Sequence, residues 1–297
     1  MASNANAAPF LGDPRNRRWA IVAASLAAAG AFAVFAPILY HMVLHWRSVE
    51  DYSHGFLIAP LAVYFAWERR KKLRRTPIEP SWWGLLPLAV GTLSLMVGRL
   101  GVELMTMRAA FVFTLIGIQI LLLGLPMFRV LAFPLLFLFL MVPLPQSLVN
   151  VIAFPLQLIA ADLAVNVLQL LGIPVLREGN IIHLPNLPLF VAEACSGLRS
   201  LMALGTLGVV FAYFFRKSWL ERGILVASTI PIAVLVNSFR VALTGWLTYN
   251  WGQEMASGAI HQTEGFFTFG MAFALLMLEA SIVSWILARL RKRRTEA

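Results

Sequence analysis

The chain has 297 residues, of which 60% are hydrophobic and only 13% are charged, and its formal net charge is +10. This composition excludes an ordinary soluble domain, and several apolar runs are long enough to cross a bilayer. The basic residues stand in clusters beside the apolar runs, which indicates membrane topology and contact with anionic lipid instead of nucleic-acid binding. The single cysteine, Cys195, excludes an internal disulfide framework, and no Cys/His cluster indicates structural zinc.

The apolar runs predict an all-α polytopic membrane protein with about eight transmembrane helices. Residues 1–18 are expected to form a flexible cytoplasmic N-terminus, residues 19–290 one transmembrane domain, and residues 291–297 a basic cytoplasmic tail. The first span is too long for the apolar part of a secretory signal, so we expect it to be retained. The predicted spans are residues 19–44, 52–67, 82–101, 109–125, 129–142, 197–215, 223–249 and 264–288.

The distribution of Lys and Arg predicts that both termini face the cytoplasm. With the N-terminus inside, most basic residues fall in cytoplasmic segments, as the positive-inside rule requires. Three segments then face outward, namely residues 45–55, 143–196 and 249–265. The sequence therefore predicts that Cys195 opens on the extracytoplasmic side of the membrane.

The long outward segment is expected to have structure of its own. Polar residues interrupt residues 147–172, which predicts one or two interfacial or re-entrant helices instead of a span. The stretch PVLREGNIIHLPN then alternates around Glu178, Gly179 and Asn180 as a short β-hairpin does. This hairpin leads the chain to Cys195.

Cys195 stands where a polar loop turns into an apolar helix. A free cysteine is commonly a small buried hydrophobe. Here Glu193 precedes it, Ser196 and Gly197 suit a helix start, and the positive end of the helix favours a thiolate. Arg199 would add positive charge on the same face, or alternatively extend to the outer interface.

Two further residues predict chemistry at the same membrane face. Arg240 lies just inside the outer edge of the seventh predicted span, on one helical face with Asn237 and Thr244. A guanidinium at that depth is costly and indicates function, although a structural ion pair with Glu193 or Glu264 is the alternative. His261 opens the last predicted span.

His261 is either an interfacial hydrogen-bonding group or a proton-transfer residue. Glu264 follows one turn later, where it would orient the imidazole or help to cap the helix. A thiolate, a guanidinium and an imidazole together suit acyl transfer, with Cys195 as nucleophile, Arg240 at the oxyanion and His261 as acid and base.

Three alternatives remain open from the residues alone. A transporter or channel component for an extracellular polymer would line its path with Arg240 and the outer histidines. A non-catalytic scaffold would make Cys195 dispensable. A metal site at the outward end of the first helix is the third alternative, since His41, His45, Glu50, Asp51 and His54 lie close in sequence there.

At these residues the sequence resembles the exosortase/archaeosortase family of membrane cysteine transpeptidases. The resemblance covers most of the chain, and EACSGLRS is its most specific motif. The shared motifs are DYSHGFLIAP (51–60), MVPLP (141–145), REGNIIHLP (177–185), EACSGLRSL (193–201) and NSFRV (237–241), with a late histidine before the final helix.

The resemblance implies that Cys195 is the nucleophile, Arg240 the essential arginine and His261 the proton-transfer residue. It implies a protein of the cytoplasmic (inner) membrane whose active site faces outward and needs no cofactor or metal. The implied partners are exported proteins whose C-terminus carries a short motif such as Pro-Glu-Pro, a membrane helix and a basic tail. In bacteria the family usually accompanies genes for exopolysaccharide and biofilm.

Overall fold

A computed structural model describes residues 14–185, 188–190, 197–215, 218–252, 254 and 258–296. Side chains are described in these ranges except at residues 14, 190, 197–200, 258–262 and 290–296. Most of the predicted N-terminal segment therefore lies outside the described residues. The α-helices are α1 (Pro14–Ser48), α2 (Gly55–Glu68), α3 (Arg70–Arg75), α4 (Leu85–Leu100), α5 (Leu104–Phe137), α6 (Gln146–Leu170), α7 (Gly197–Phe215), α8 (Trp219–Trp251) and α9 (Gly258–Glu296).

The helices confirm the predicted all-α polytopic membrane fold. Within the described ranges, six helical segments are long and apolar enough to cross a membrane. The predicted second span forms only the short helix α2, which is not among the six. The six segments are Arg15–Ser48, Trp82–Leu100, Leu104–Met141, Gln146–Leu170, Trp219–Trp251 and Thr263–Arg289.

Contacts within the chain define two units, Met1–Pro145 (unit 1) and Gln146–Ala297 (unit 2). In unit 1, the segment Leu104–Met141 reverses direction at Gly124, where φ is 88° and ψ is 172°. The rings of Phe113 and Phe139, on either side of the reversal, lie 5.0 Å apart. A straight helix would separate these two residues by roughly 39 Å at 1.5 Å per residue. The segment is therefore a hairpin of two helical halves, matching the two spans predicted at 109–125 and 129–142.

Glycine is required at residue 124. Its φ lies in the region that side chains avoid, and a Cβ there would overlap the main-chain carbonyl of Glu79. The segment before α4 runs along the reversal, since Glu79 donates from its amide to the carbonyl of Leu123 and Ser81 to that of Leu121, each at 3.3 Å.

The ends of the unit 1 helices gather into two groups. At one end, Arg17 donates to the carbonyls of Leu73 (2.7 Å) and Thr76 (2.9 Å), and Arg69 to that of Val130 (2.8 Å). The opposite end carries Tyr52, Arg108 and Leu144, and we name it the Tyr52 end. Segments predicted for the same membrane side thus lie together, while the assignment of cytoplasmic and outer sides stays a prediction.

In unit 2, one or two interfacial or re-entrant helices were expected over residues 147–172, and the structure has a single helix there. Residues Gln146–Leu170 form one continuous helix, α6, with the length and apolarity of a span. Its C-terminal half packs side by side with that of α8, where a Cβ at Gly245 would lie 3.0 Å from the side chain of Leu168. The polar residues that argued against a span are accommodated locally, as Asp162 pairs with Arg177 at 3.7 Å.

The predicted hairpin is confirmed and extended by one strand. Strands β1 (Leu176–Glu178), β2 (Ile181–His183) and β3 (Pro188–Phe190) form an antiparallel sheet in the order β1-β2-β3. Gly179, with φ of 63°, makes the tight turn between β1 and β2. The sheet packs on α6 and α8 through a buried apolar cluster of Ala161, Ala164, Val165, Leu168, Ile173, Ile182, Leu184, Leu189, Val241 and Ala242.

Helices α7, α8 and α9 pack as successive antiparallel neighbours. Their shared core includes Leu204 from α7, Val236 from α8 and Leu276 from α9. Gly208 allows the close approach of α7 and α8, since a Cβ there would lie 2.5 Å from the side chain of Thr229. This packing puts the start of α7, the C-terminal half of α8 and the start of α9 at one end of unit 2, which we name the Arg240 end.

Candidate active site

Arg240 lies on α8 at the Arg240 end of unit 2, where its side chain is half-buried. Its guanidinium lies against α9, since a Cβ added at Gly265 would be 3.6 Å from Nη2. Because Gly265 has no side chain, the guanidinium can lie beside the backbone of α9. This location agrees with the predicted position of Arg240 near a helix end.

Glu264 lies beside Arg240 and is only 5% exposed. The hydroxyl of Thr244 donates to Glu264 Oε2 at 2.8 Å, and the charge of Arg240 acts on the same carboxylate. The predicted polar face of α8 is thus real, and one of the two acids named as possible ion partners of Arg240 is its neighbour. The pair is compatible both with a structural role and with an acid that orients a catalytic arginine.

Asn237 lies one helical turn before Arg240 and is 6% exposed. Its Oδ1 has no hydrogen-bond partner in the part of the chain that the structure describes. Asn237 borders a narrow cleft of about 20 Å³, which is room for about one water molecule. The cleft is lined by Ala153, Leu156, Gln157, Leu201, Ala233, Val234 and Asn237.

The remaining predicted site residues are only partly described. Glu193, Cys195 and Ser196 lie outside the described residues. Arg199 lies in the first turn of α7 and His261 in the first turn of α9, and the side chains of both are outside the described atoms. The backbone of these two turns lies at the Arg240 end, since Leu201 lines the cleft with Asn237 and Gly265 contacts Arg240.

A second cluster, at the Tyr52 end of unit 1, joins two of the motifs that carry the family resemblance. Trp46 Nε1 donates to the carbonyl of Met141 at 3.0 Å, and the Tyr52 hydroxyl donates to that of Leu144 at 3.1 Å. His54 Nδ1 lies 3.1 Å from the carbonyl of Asp51. The motifs DYSHG and MVPLP therefore hold each other in place, a role that sequence reasoning did not assign.

Burial sets the protonation behaviour of this cluster. It lowers the pKa of His54 below its ordinary value, although the carbonyls of Asp51 and Leu140 act in the opposite direction. Burial also raises the pKa of Tyr52, and the charge of Asp51 raises it further. Both residues therefore favour their neutral forms.

Arg108, on α5, is the residue of this cluster that sequence reasoning missed. It is 4% exposed, and its Nε has no hydrogen-bond partner within the described residues. The available signal was its position inside an apolar helix, where an arginine is costly.

The alternative metal site is not assembled at the Tyr52 end. Across the described ranges, no three His, Cys, Asp or Glu side chains are grouped as metal ligands would be. His41 is exposed, and the ring of His45 lies 5.2 Å from that of Tyr52.

A comparison with protein families gives one match, to the sequence model of the transmembrane exosortases, over residues 46–278. No curated protein and no solved structure matches the chain significantly. The matched region begins at Trp46 in the Tyr52-end cluster and ends within α9, so it includes both clusters and residue 195. Because the match spans most of the chain, this multi-pass membrane protein belongs to the transmembrane exosortase family.

Proposed function

We propose that this protein is a cysteine transpeptidase that cleaves the C-terminal sorting signals of exported proteins. Membership of the exosortase family supports a membrane sorting protease or transpeptidase in general. The observation that carries the specific proposal is the arrangement of Arg240, Glu264 and Thr244 at the end of unit 2 where α7 and α9 begin. In the sequence, Cys195 comes two residues before the start of α7, and His261 belongs to the first turn of α9. These positions support the proposal that both residues act together with Arg240.

In the first half-reaction, the Cys195 thiolate attacks the carbonyl carbon of the scissile peptide bond. Negative charge develops on the carbonyl oxygen, and Arg240 stabilises it with a planar donor group. His261 gives a proton to the leaving nitrogen, the C–N bond breaks, and a thioester joins Cys195 to the exported protein. The membrane helix of the signal leaves with the new amino terminus.

In the second half-reaction, an amine or water attacks the thioester carbonyl. His261 removes a proton from the attacking group, the C–S bond breaks, and the Cys195 thiolate is restored. Glu264 supports this chemistry by holding the guanidinium of Arg240 at the oxyanion position, since Thr244 fixes one carboxylate oxygen at 2.8 Å. Glu193, Ser196 and Arg199 would assist around the thiolate, the first as an acid and the last as a nearby positive charge.

The cleft next to Asn237 supports a role for that residue in substrate positioning. Its buried amide oxygen accepts no hydrogen bond from the described residues, so a main-chain N–H of the substrate is a suitable donor to it. At about 20 Å³ the cleft admits a single group and not a whole helix. The membrane helix of the substrate would instead pack on the lipid-facing side of α7, where a Cβ at Gly205 meets nothing within 4 Å.

The test uses the purified full-length chain and a membrane substrate with a short motif, a transmembrane helix and a basic tail. The wild type should release the N-terminal product, and Cys195→Ala should leave the substrate intact while keeping the same unfolding transition. Mass spectrometry of the wild type after brief mixing should find the N-terminal part of the substrate attached to Cys195. Normal cleavage by Cys195→Ala would exclude the enzyme proposal and leave the transporter and scaffold alternatives.

A further inference from the structure

Arg108 is a buried cation whose environment lacks the partner that such a group needs. Only 4% of its surface is exposed, and Nε has no hydrogen-bond acceptor among the described residues. A charged group taken out of water without hydrogen bonds destabilises a fold, so natural proteins pair or ligate it. The site is therefore incomplete as a purely internal contact.

The nearest acid is already engaged elsewhere. Glu103 caps α5 by accepting hydrogen bonds from the amides of Met105 (2.9 Å) and Thr106 (2.7 Å), one on each carboxylate oxygen. Burial alone would raise the pKa of Glu103, but these bonds outweigh it and lower the pKa, so the carboxylate is charged. It attracts Arg108 through space, while the described contacts leave the guanidinium without a bound anion.

The surroundings indicate where an anion would come from. Arg108 lies about 6 Å along α5 from its start at Leu104. If α5 begins at the membrane surface, this distance puts the guanidinium near the headgroup layer. The turn that precedes α5 exposes Leu100 (85%) and Val102 (80%), as a lipid-facing surface does. Tyr52 and His45, both within electrostatic reach of Arg108, bring two polar-edged rings to the same place.

We propose that Arg108 binds a phosphate group at the Tyr52 end of unit 1, supplied by an anionic phospholipid headgroup or by free phosphate. A guanidinium offers phosphate a planar, multiply donating surface, and the bond is strong where water is scarce. Because so little of Arg108 is exposed, the site takes one phosphate and does not form a broad basic surface. The bound phosphate would join α5 to the DYSHG and MVPLP motifs around it.

The test measures ligand-dependent stability of the purified full-length chain. Phosphatidylglycerol, inorganic phosphate, a carboxylate-bearing peptide, and diacylglycerol, which has no phosphate, are added separately. Unfolding temperature is recorded together with lipid retention by native mass spectrometry. The variants are Arg108→Gln, Arg108→Lys and the matched control Arg99→Gln, whose arginine is exposed near the neighbouring end of α4.

The wild type and Arg99→Gln should be stabilised by a phosphate-bearing ligand and not by diacylglycerol. Arg108→Gln should bind it at least 10-fold more weakly, the loss of about one charge-assisted hydrogen bond. Stabilisation by phosphatidylglycerol alone assigns the lipid headgroup, and stabilisation by inorganic phosphate assigns the free ion. If Arg108→Gln does not fold, Arg108→Lys decides, because it keeps the charge but loses the planar fork.

Three results would overturn the proposal. The wild type would show no stabilisation by either phosphate source, or Arg99→Gln would lose as much binding as the Arg108 variants. Protection by a carboxylate-bearing peptide with none by phosphate would assign the site to a peptide instead.

Discussion

The long polar side chains of unit 1 and the polar cluster around Arg240 in unit 2 are engaged in different ways. In unit 1, several long side chains reach main-chain carbonyls, as Arg17, Trp46 and Tyr52 do. In unit 2, the Thr244 hydroxyl bonds another side chain, Glu264. The charge of Arg240 then acts on that carboxylate.

This difference separates contacts that stabilise the fold from groups that can take part in a reaction. A carbonyl cannot change its charge, so a side chain bonded to it fixes two stretches of chain. A network of side chains can gain and lose protons or rearrange around a substrate. Substitutions in the unit 1 contacts should therefore lower stability, whereas those around Arg240 should lower activity.

The largest effect is expected for Arg240→Lys. This variant keeps the charge but loses the planar donor, so kcat for signal cleavage should fall by about 10²- to 10³-fold. The unfolding transition should stay that of the wild type. Arg222→Lys, on the same helix at its opposite end, is the matched control and should cleave normally; full activity in Arg240→Lys would exclude an oxyanion role.

Gly124→Ala should give the largest loss of stability in unit 1. A Cβ at this positive φ would meet the carbonyl of Glu79, so the free energy of unfolding should fall by about 3 kcal/mol or more. The activity per folded molecule should not change. Gly30→Ala is the control, because a Cβ there meets nothing within 4 Å; equal losses in both variants would contradict the reversal.

Thr244→Val tests whether the unit 2 network contributes to stability as well as activity. The variant removes the donor to a buried carboxylate oxygen, which should cost about 1–3 kcal/mol in unfolding free energy and also slow cleavage. Thr248→Val is a close control, since the Thr248 hydroxyl is buried without a hydrogen-bond partner within the described residues. The control should leave the free energy of unfolding unchanged or slightly raise it. An equal loss in both variants would show that the Thr244–Glu264 hydrogen bond contributes nothing specific.

The smallest expected effect is the acid sensitivity that His54 gives to unit 1. Burial holds the pKa of His54 below its ordinary value of about 6.5, so the unfolded state takes up a proton first as the pH falls. The free energy of unfolding should therefore decrease as the pH falls below about 6.5, and it should keep its full value above that pH. His54→Asn should flatten this decrease and His41→Asn should not; the same slope in all three proteins would remove His54 as the cause.

Much of the fold followed from local sequence signals. The turn residues around Gly179 predicted the β1–β2 hairpin, and the two apolar runs at 109–125 and 129–142 predicted the two halves of the hairpin around Gly124. The helical spacing of Asn237, Arg240 and Thr244 predicted the polar face of α8. In each case a few neighbouring residues contain the physical cause, so the pattern alone sufficed.

Other features depend on contacts between residues that are distant in the sequence. Asp162 was one of the polar residues that argued against a span over residues 147–172, and Arg177 from the following hairpin pairs with it. The surroundings of Arg108 likewise include Tyr52, which comes from a distant part of the sequence. Gly265 gave no signal because its function is to leave space for a side chain of another helix.

The hydrogen bonds from Arg17 have a consequence for how the chain folds during its synthesis. Arg17 belongs to the first helix made, yet its acceptors are the carbonyls of Leu73 and Thr76 at the end of α3. That contact cannot form until residue 76 has left the ribosome. The final position of α1 relative to α3 is therefore set only after the later segment has been made. An N-terminal truncation that stops before Pro14 leaves the contact intact, whereas one that removes Arg17 takes away both of these hydrogen bonds from α1 to the end of α3.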